Sequence, residues 1–155
     1  MRNAQKGFSL LELLIVVAII LIIAAIAIPN FLHSKIAANQ ASAVGSMRSL
    51  NTACVSYSTS YGQFPAALTN LGPVGSGVTP TATSSDLIDS VLASGSKSGY
   101  TFAYTAGASA QSYSITATPI IPGSSGQNMY FTDQSGVIRV DTSGAGATAA
   151  STPIG

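Results

Sequence analysis

The chain has 155 residues, enough for one modest domain and an added segment, and only 7% of them are charged, against about 25% in ordinary soluble domains. The formal net charge is +1, and no basic patch marks nucleic acid as a dedicated ligand. One cysteine, Cys54, and one histidine, His33, exclude an intramolecular disulfide and a zinc site of clustered His and Cys.

Residues 1–7 form a polar, basic lead carrying Arg2 and Lys6 and ending at Gly7. The chain is then apolar from Phe8 to Ile28 apart from Ser9 and a single carboxylate, Glu12. About twenty such residues span a bilayer as a helix. A charge inside the bilayer costs roughly 2.5–3.5 kcal/mol on insertion scales, so an acid kept there needs a role. A secretory signal peptide shares the basic lead and the apolar run, with Ala25-Ile26-Ala27 as a cleavage site. The length of the run and Glu12 speak against it. A plain anchor explains the hydrophobicity but not the coincidence of Gly7, Phe8, Glu12 and Pro29.

Beyond Pro29 the pattern becomes amphipathic. Val44, Met47, Leu50, Cys54, Tyr57 and Tyr61 recur every three or four residues, which places them on one helical face. Ala37, Ala38, Ala41 and Ala43 add helix propensity. The pattern predicts one helix from Phe8 to Tyr61, on the order of 80 Å at ~1.5 Å per residue. Its halves are 8–29, a transmembrane or core segment, and 30–61, the amphipathic part. Pro29 in mid-helix removes a hydrogen bond and predicts a kink, at a cost of roughly 3 kcal/mol. Gly62 and Pro65 end the helix.

Residues 62–98 read as a loop rich in Gly, Pro, Ser and Thr, holding a short helix over Ser85–Leu92 capped by Ser84 or Ser85. Alternation then predicts an antiparallel sheet over 99–141, with strands at Tyr100–Tyr104, Tyr113–Ala117, Met129–Thr132 and Val137–Val140. The last two turn at Asp133-Gln134-Ser135-Gly136. Residues 142–155 show no packing pattern and predict a flexible tail. The fold class is α+β, with a long N-terminal helix burying its stripe on a small antiparallel sheet of about four strands.

The run Lys6-Gly7-Phe8-Ser9-Leu10-Leu11-Glu12-Leu13-Leu14, with Pro29 and Asn30, resembles the class III signal of type IV prepilins and type II secretion pseudopilins. The resemblance implies a pilin fold, cleavage by a prepilin peptidase between Gly7 and Phe8, and N-methylation of Phe8. It further implies that Glu12 faces the Phe8 amine of an adjacent subunit, and that backbone near Pro29 melts in an assembled filament. The segments Tyr57–Gly62, Gly99–Phe102 and Tyr130–Arg139 are similar to those of pilin-like proteins related to the major pseudopilin.

No catalytic constellation is visible, so the chain does not read as an enzyme. His33 reads as a solvated or interfacial residue, and Cys54 as a small buried hydrophobe. Packing explains Phe8, Phe31, Tyr57, Tyr61 and Phe64 better than electron transport does. Cofactors and metals are expected to be absent. Calcium is a weak exception, because major pseudopilins bind it and Asp133 and Asp141 flank the final hairpin; Asp133 is equally a turn residue. No Asn-X-Ser/Thr acceptor occurs.

By resemblance, then, the chain is the structural subunit of a type IV pilus serving adhesion, motility or DNA uptake. The alternative is the major pseudopilin of a type II secretion system, forming a periplasmic pseudopilus for protein export. Its expected partners are copies of itself in a helical homopolymer, the prepilin peptidase, the inner-membrane pilus assembly machinery and the membrane. No dedicated nucleic-acid or small-molecule ligand is expected. The expected location is the inner membrane before assembly, then the extracellular pilus or, in the alternative, the periplasmic pseudopilus.

Overall fold

A computed structural model describes residues 8–154; Gly7, the rest of the lead and Gly155 lie outside the described residues. The chain divides into two compact units, one ending at Lys35 and the other beginning at Ile36, and each has its own character.

Helix α1 runs Leu10–Tyr61, 52 residues, starting two residues later than the pattern predicts. The backbone N–H of Leu13 donates to the Ser9 carbonyl at 3.2 Å. Pro29 is inside α1 and the helix continues through it. The Ser34 hydroxyl donates to the Asn30 carbonyl one turn back, at 2.9 Å. The helix ends where Gly62 takes φ +74°, a left-handed turn that glycine adopts without a Cβ penalty. Its N–H caps the Ser58 carbonyl at 2.8 Å.

In the second unit, Ala43, Met47, Leu50, Ala53, Cys54 and Tyr57 of α1 are buried, with Val44 and Tyr61 packed at the margin. The predicted stripe is the helical side of the core. Its other side is a six-stranded antiparallel meander in the order β1-β2-β3-β4-β5-β6. The strands are β1 Ser96–Lys97, β2 Tyr100–Ala106, β3 Tyr113–Pro119, β4 Met129–Asp133, β5 Arg139–Asp141 and β6 Thr152–Pro153. Alternate residues face the core, among them Tyr100 and Phe102 on β2, Tyr113, Ile115 and Ala117 on β3, and Tyr130 and Thr132 on β4, as the two-residue period of a strand requires. The α+β expectation holds, with six strands in place of about four. Both unexpected strands are two residues long, too short to show alternation.

Two segments depart from expectation. The short helix α2 is Ser90–Ala93, with the Asp89 carboxylate accepting from the Leu92 N–H, not Ser85–Leu92 with a serine cap. Ser85, Asp86, Leu87 and Ile88 already donate their N–H groups to the carbonyls of Asn70, Gly72 and Leu71, so that stretch is committed to a docked loop. Asn70 and Leu71 belong to a 3-10 turn, Leu68–Leu71, whose two leucines are buried, and Gly72 caps it.

The tail without packing, 142–155, is likewise corrected. Ala147 is buried, β6 pairs with β5 through Arg139↔Pro153 and Val140↔Thr152, and the Ile154 N–H donates to Ile138 at 2.8 Å. A β5 edge offering unpaired backbone groups draws the chain back, although its small side chains carry no pattern of their own.

Candidate functional site

The first unit holds every predicted site residue that falls within 8–35. Its helix is apolar all round, which marks a helix destined for surroundings other than water. Leu10 is 81% exposed, Phe8 78% and Ile26 66%, and no residue of its most apolar 18-residue window is buried. By length and composition it is the one helix among the described residues able to cross a membrane.

Glu12 lies in the first turn of α1, where a carboxylate opposes the positive end of the helix dipole. Among the described residues it has no ion-pair partner. Phe8 precedes the helix and is exposed, Pro29 is inside it, and Gly7 is outside the described residues. The structure therefore places Glu12 and Pro29 on one helix and Phe8 at its entry. His33 and Phe31 are exposed on the same helix.

The second unit offers little reactive chemistry. Burial pushes the Cys54 thiol up to about 12, so the thiolate that nucleophilic or redox chemistry needs is scarce at neutral pH. Burial likewise raises Tyr100 to about 12 and holds Tyr104 and Tyr113 well above the ordinary tyrosine range. Tyr100 and Tyr113 are core and Tyr104 packs at its margin: Tyr104 stacks on Tyr113 at 5.9 Å, Phe64 meets Tyr113 edge-on at 4.8 Å, and Tyr57 lies 4.6 Å from Tyr61.

The calcium candidates do not converge. Asp133 is in β4, where its carboxylate accepts the Ser135 N–H at 2.9 Å in the turn. Asp141 ends β5 opposite Met129, at the far end of β4. Its oxygens accept from the Ser143 hydroxyl at 2.7 Å and the N–H groups of Ser143 and Gly146 at 3.0 Å. The Ser143 hydroxyl, then these N–H groups, hold the Asp141 carboxyl below its usual range. Among the described residues no group of three or more His, Cys, Asp or Glu gathers as a metal site.

Sequence reasoning missed one buried polar node. Asn51 interrupts the apolar stripe between Met47 and Cys54. Its amide donates to Thr132 Oγ1 at 2.9 Å and to the Gly136 carbonyl at 3.2 Å, and accepts from the Tyr113 hydroxyl at 3.1 Å. It ties α1 to β3, β4 and the β4–β5 turn at once. The signal available in the sequence was a polar residue four after Met47 and three before Cys54, on the buried face.

Comparisons with known proteins give one family model and several partial relatives. A family model described as the prokaryotic N-terminal methylation motif matches residues 2–28. The chain is 52% identical over 59 residues to the type IV major fimbrial protein FimA of Dichelobacter nodosus, covering 36% of this chain and 37% of that protein. It is 49% identical over 53 residues to the type IV major pilin protein PilA of Myxococcus xanthus, covering 34% and 24%. A third relative, the type IV wide pilus major component PilA4 of Thermus thermophilus, is 64% identical over 39 residues, covering 25% and 29%. These matches span about a quarter to two fifths of the relatives' own length. No solved structure matches the chain. Residues 2–28 thus match the N-terminal methylation motif, and part of the chain is similar to proteins named as type IV pilins and fimbrial proteins.

Proposed function

We propose that this chain is a structural subunit of a type IV pilus. In this reading a prepilin peptidase cuts between Gly7 and Phe8, and Phe8 is methylated. The first half of α1 holds the subunit in the inner membrane until the pilus assembly machinery extracts it into a helical homopolymer outside the cell, for adhesion, motility or DNA uptake. The observation that carries the reading is the stretch of α1 from Leu10 to Ile28, apolar on every side and unburied, lying within the methylation motif matched over residues 2–28.

The chemistry of the segment supports an exchange of surroundings. Lipid tails and neighbouring apolar helices are nearly equivalent solvents for these side chains, so leaving the bilayer for a bundle costs little in transfer free energy. What distinguishes the two states is Glu12. In a bundle of copies its carboxylate meets the Phe8 amine of a neighbour. A buried charge left without that partner is strongly penalised, so the pair sets the register of addition. The role is structural rather than catalytic, as in the relatives named as pilins and fimbrial proteins.

Intact mass and N-terminal peptide analysis of the protein in a sheared surface fraction test the reading. A chain beginning at methylated Phe8 and enriched there is the expected result. The same processed chain retained in the membrane would point to the pseudopilin instead. A start at Met1 or near Asn30 would overturn the processing step.

A further inference from the structure

Sorting the charges of the second unit isolates two residues. Its cations are Arg48, Lys97 and Arg139, and its anions Asp86, Asp89, Asp133 and Asp141. Lys97 pairs with Asp89 at 2.8 Å, and the Arg139 guanidinium donates to the Ser151 carbonyl at 3.1 Å. Asp133 and Asp141 accept from their own turns. Among the described residues, the side chains of Arg48 and Asp86 are the ones left, one of each sign, with neither an ion pair nor a hydrogen bond. Both are exposed.

Asp86 is held out by a stiff backbone. Its φ is +57°, in the left-handed region that costs most residues energy and that aspartate tolerates better than most. The N–H groups of Ser85, Asp86 and Leu87 are each bonded at 2.9 Å to Asn70, Gly72 and Leu71. A group presented from an ordered backbone gives up less freedom on docking. Next to it Leu87, 39% exposed, lines a groove of about 500 Å³ whose helical wall is Ser42, Gly45, Ser46 and Ser49. A Cβ on Gly45 would meet nothing within 4 Å, so this wall is open. Arg48 lies about 110° around the helix from the mean direction of those wall residues, at ~100° per residue.

Resting on the filament reading above, we infer that Arg48 of one copy pairs with Asp86 of the next. In the contact inferred, each copy uses Arg48 toward one neighbour and Asp86 toward the other, a heterologous, head-to-tail arrangement. Each addition leaves an unused Arg48 at one end and an unused Asp86 at the other, the condition for an open helical polymer rather than a closed dimer. The small residues of the helical wall let a neighbour approach closely. With so few charges on the chain, one complementary pair also selects register against shifted alternatives.

The test compares filaments sheared from cells carrying the full-length chain, Arg48→Asp, Asp86→Arg, and both exchanges together, at equal membrane pools. Each single reversal is expected to lower filament yield by about tenfold or more, and the double exchange to restore it to within about twofold. Unchanged yield from either single reversal, or no rescue in the double, overturns the pairing. A chain carrying Arg48→Cys and Asp86→Cys is expected to give a ladder of disulfide-linked multimers under oxidation; monomers alone would overturn it. If the unaltered chain forms no filaments, the filament reading itself falls, and the pairing with it.

Discussion

Helix α1 is made of two halves with opposite habits. From Leu10 to Lys35 its apolar side chains are exposed, whereas from Ile36 to Tyr61 one face is buried with the sheet and the other is mostly small or polar. The same helical backbone thus carries two kinds of surface. The difference lies in periodicity: an apolar residue at nearly every position gives no direction in which to fold, while one every three or four gives a single direction. On the proposed function the half without a preferred direction exchanges lipid for protein, while the half with one is committed to its own core.

The largest contrast concerns Glu12. Glu12→Ala is expected to leave membrane insertion intact while filament yield falls by about a hundredfold or more, since an assembly step that depends on a buried charge pair fails when one partner goes. Membrane fractionation beside shearing checks both halves of that statement, and normal filament yield would remove Glu12 from assembly. Next comes the core half. Leu50→Ala, at a fully buried position, is expected to cost roughly 2–5 kcal/mol in a denaturant titration of the detergent-solubilised chain. Leu21→Ala, at an exposed position of the other half, is expected to leave that midpoint unmoved. Equal effects would erase the distinction between the halves.

Asn51→Ala sharpens the comparison within the buried half. It strips the Tyr113 hydroxyl and Thr132 of a partner and is expected to cost about 1–3 kcal/mol. A Thr132→Val companion recovering part of that loss would show that the stranded hydroxyl, rather than lost volume, is responsible. The smallest effect is on pH dependence. Burial raises Tyr100 to about 12 and lifts Tyr104, Tyr113 and Tyr130 in the same direction. The stability this contributes is fully present below the unfolded tyrosine value near 10 and is lost as pH rises through the folded values. Tyrosinate absorbance rising in step with unfolding above that value is the expected outcome. Early titration in a still-folded protein would contradict the burial of these rings.

Much of this was legible without coordinates. The stripe from Val44 to Tyr61 was readable because helical burial has a fixed period, and β2 through β4 because strand burial has another. The N-terminal segment was readable because its hydrophobicity leaves so few alternatives. What escaped depends on partners distant in sequence. The start of α2 shifted because Ser85 to Ile88 give their N–H groups to Asn70, Leu71 and Gly72. The β3–β4 connection must pass with Gly126 against the Tyr100 ring, where a Cβ would collide; nothing near Gly126 in sequence announces that.

Sequence alone determined the apolar segment, its single acid, the stripe that follows and the alternating strands, since each rests on a period or a composition carried by consecutive residues. Only the tertiary structure decided that Asn51 is a buried junction, that Thr152 and Pro153 close the sheet, and that among the described residues Arg48 and Asp86 are left over when every other charge of the second unit has found a partner. Those outcomes follow from which hydrogen-bonding groups meet after the chain has folded back, and a local pattern holds no record of such meetings.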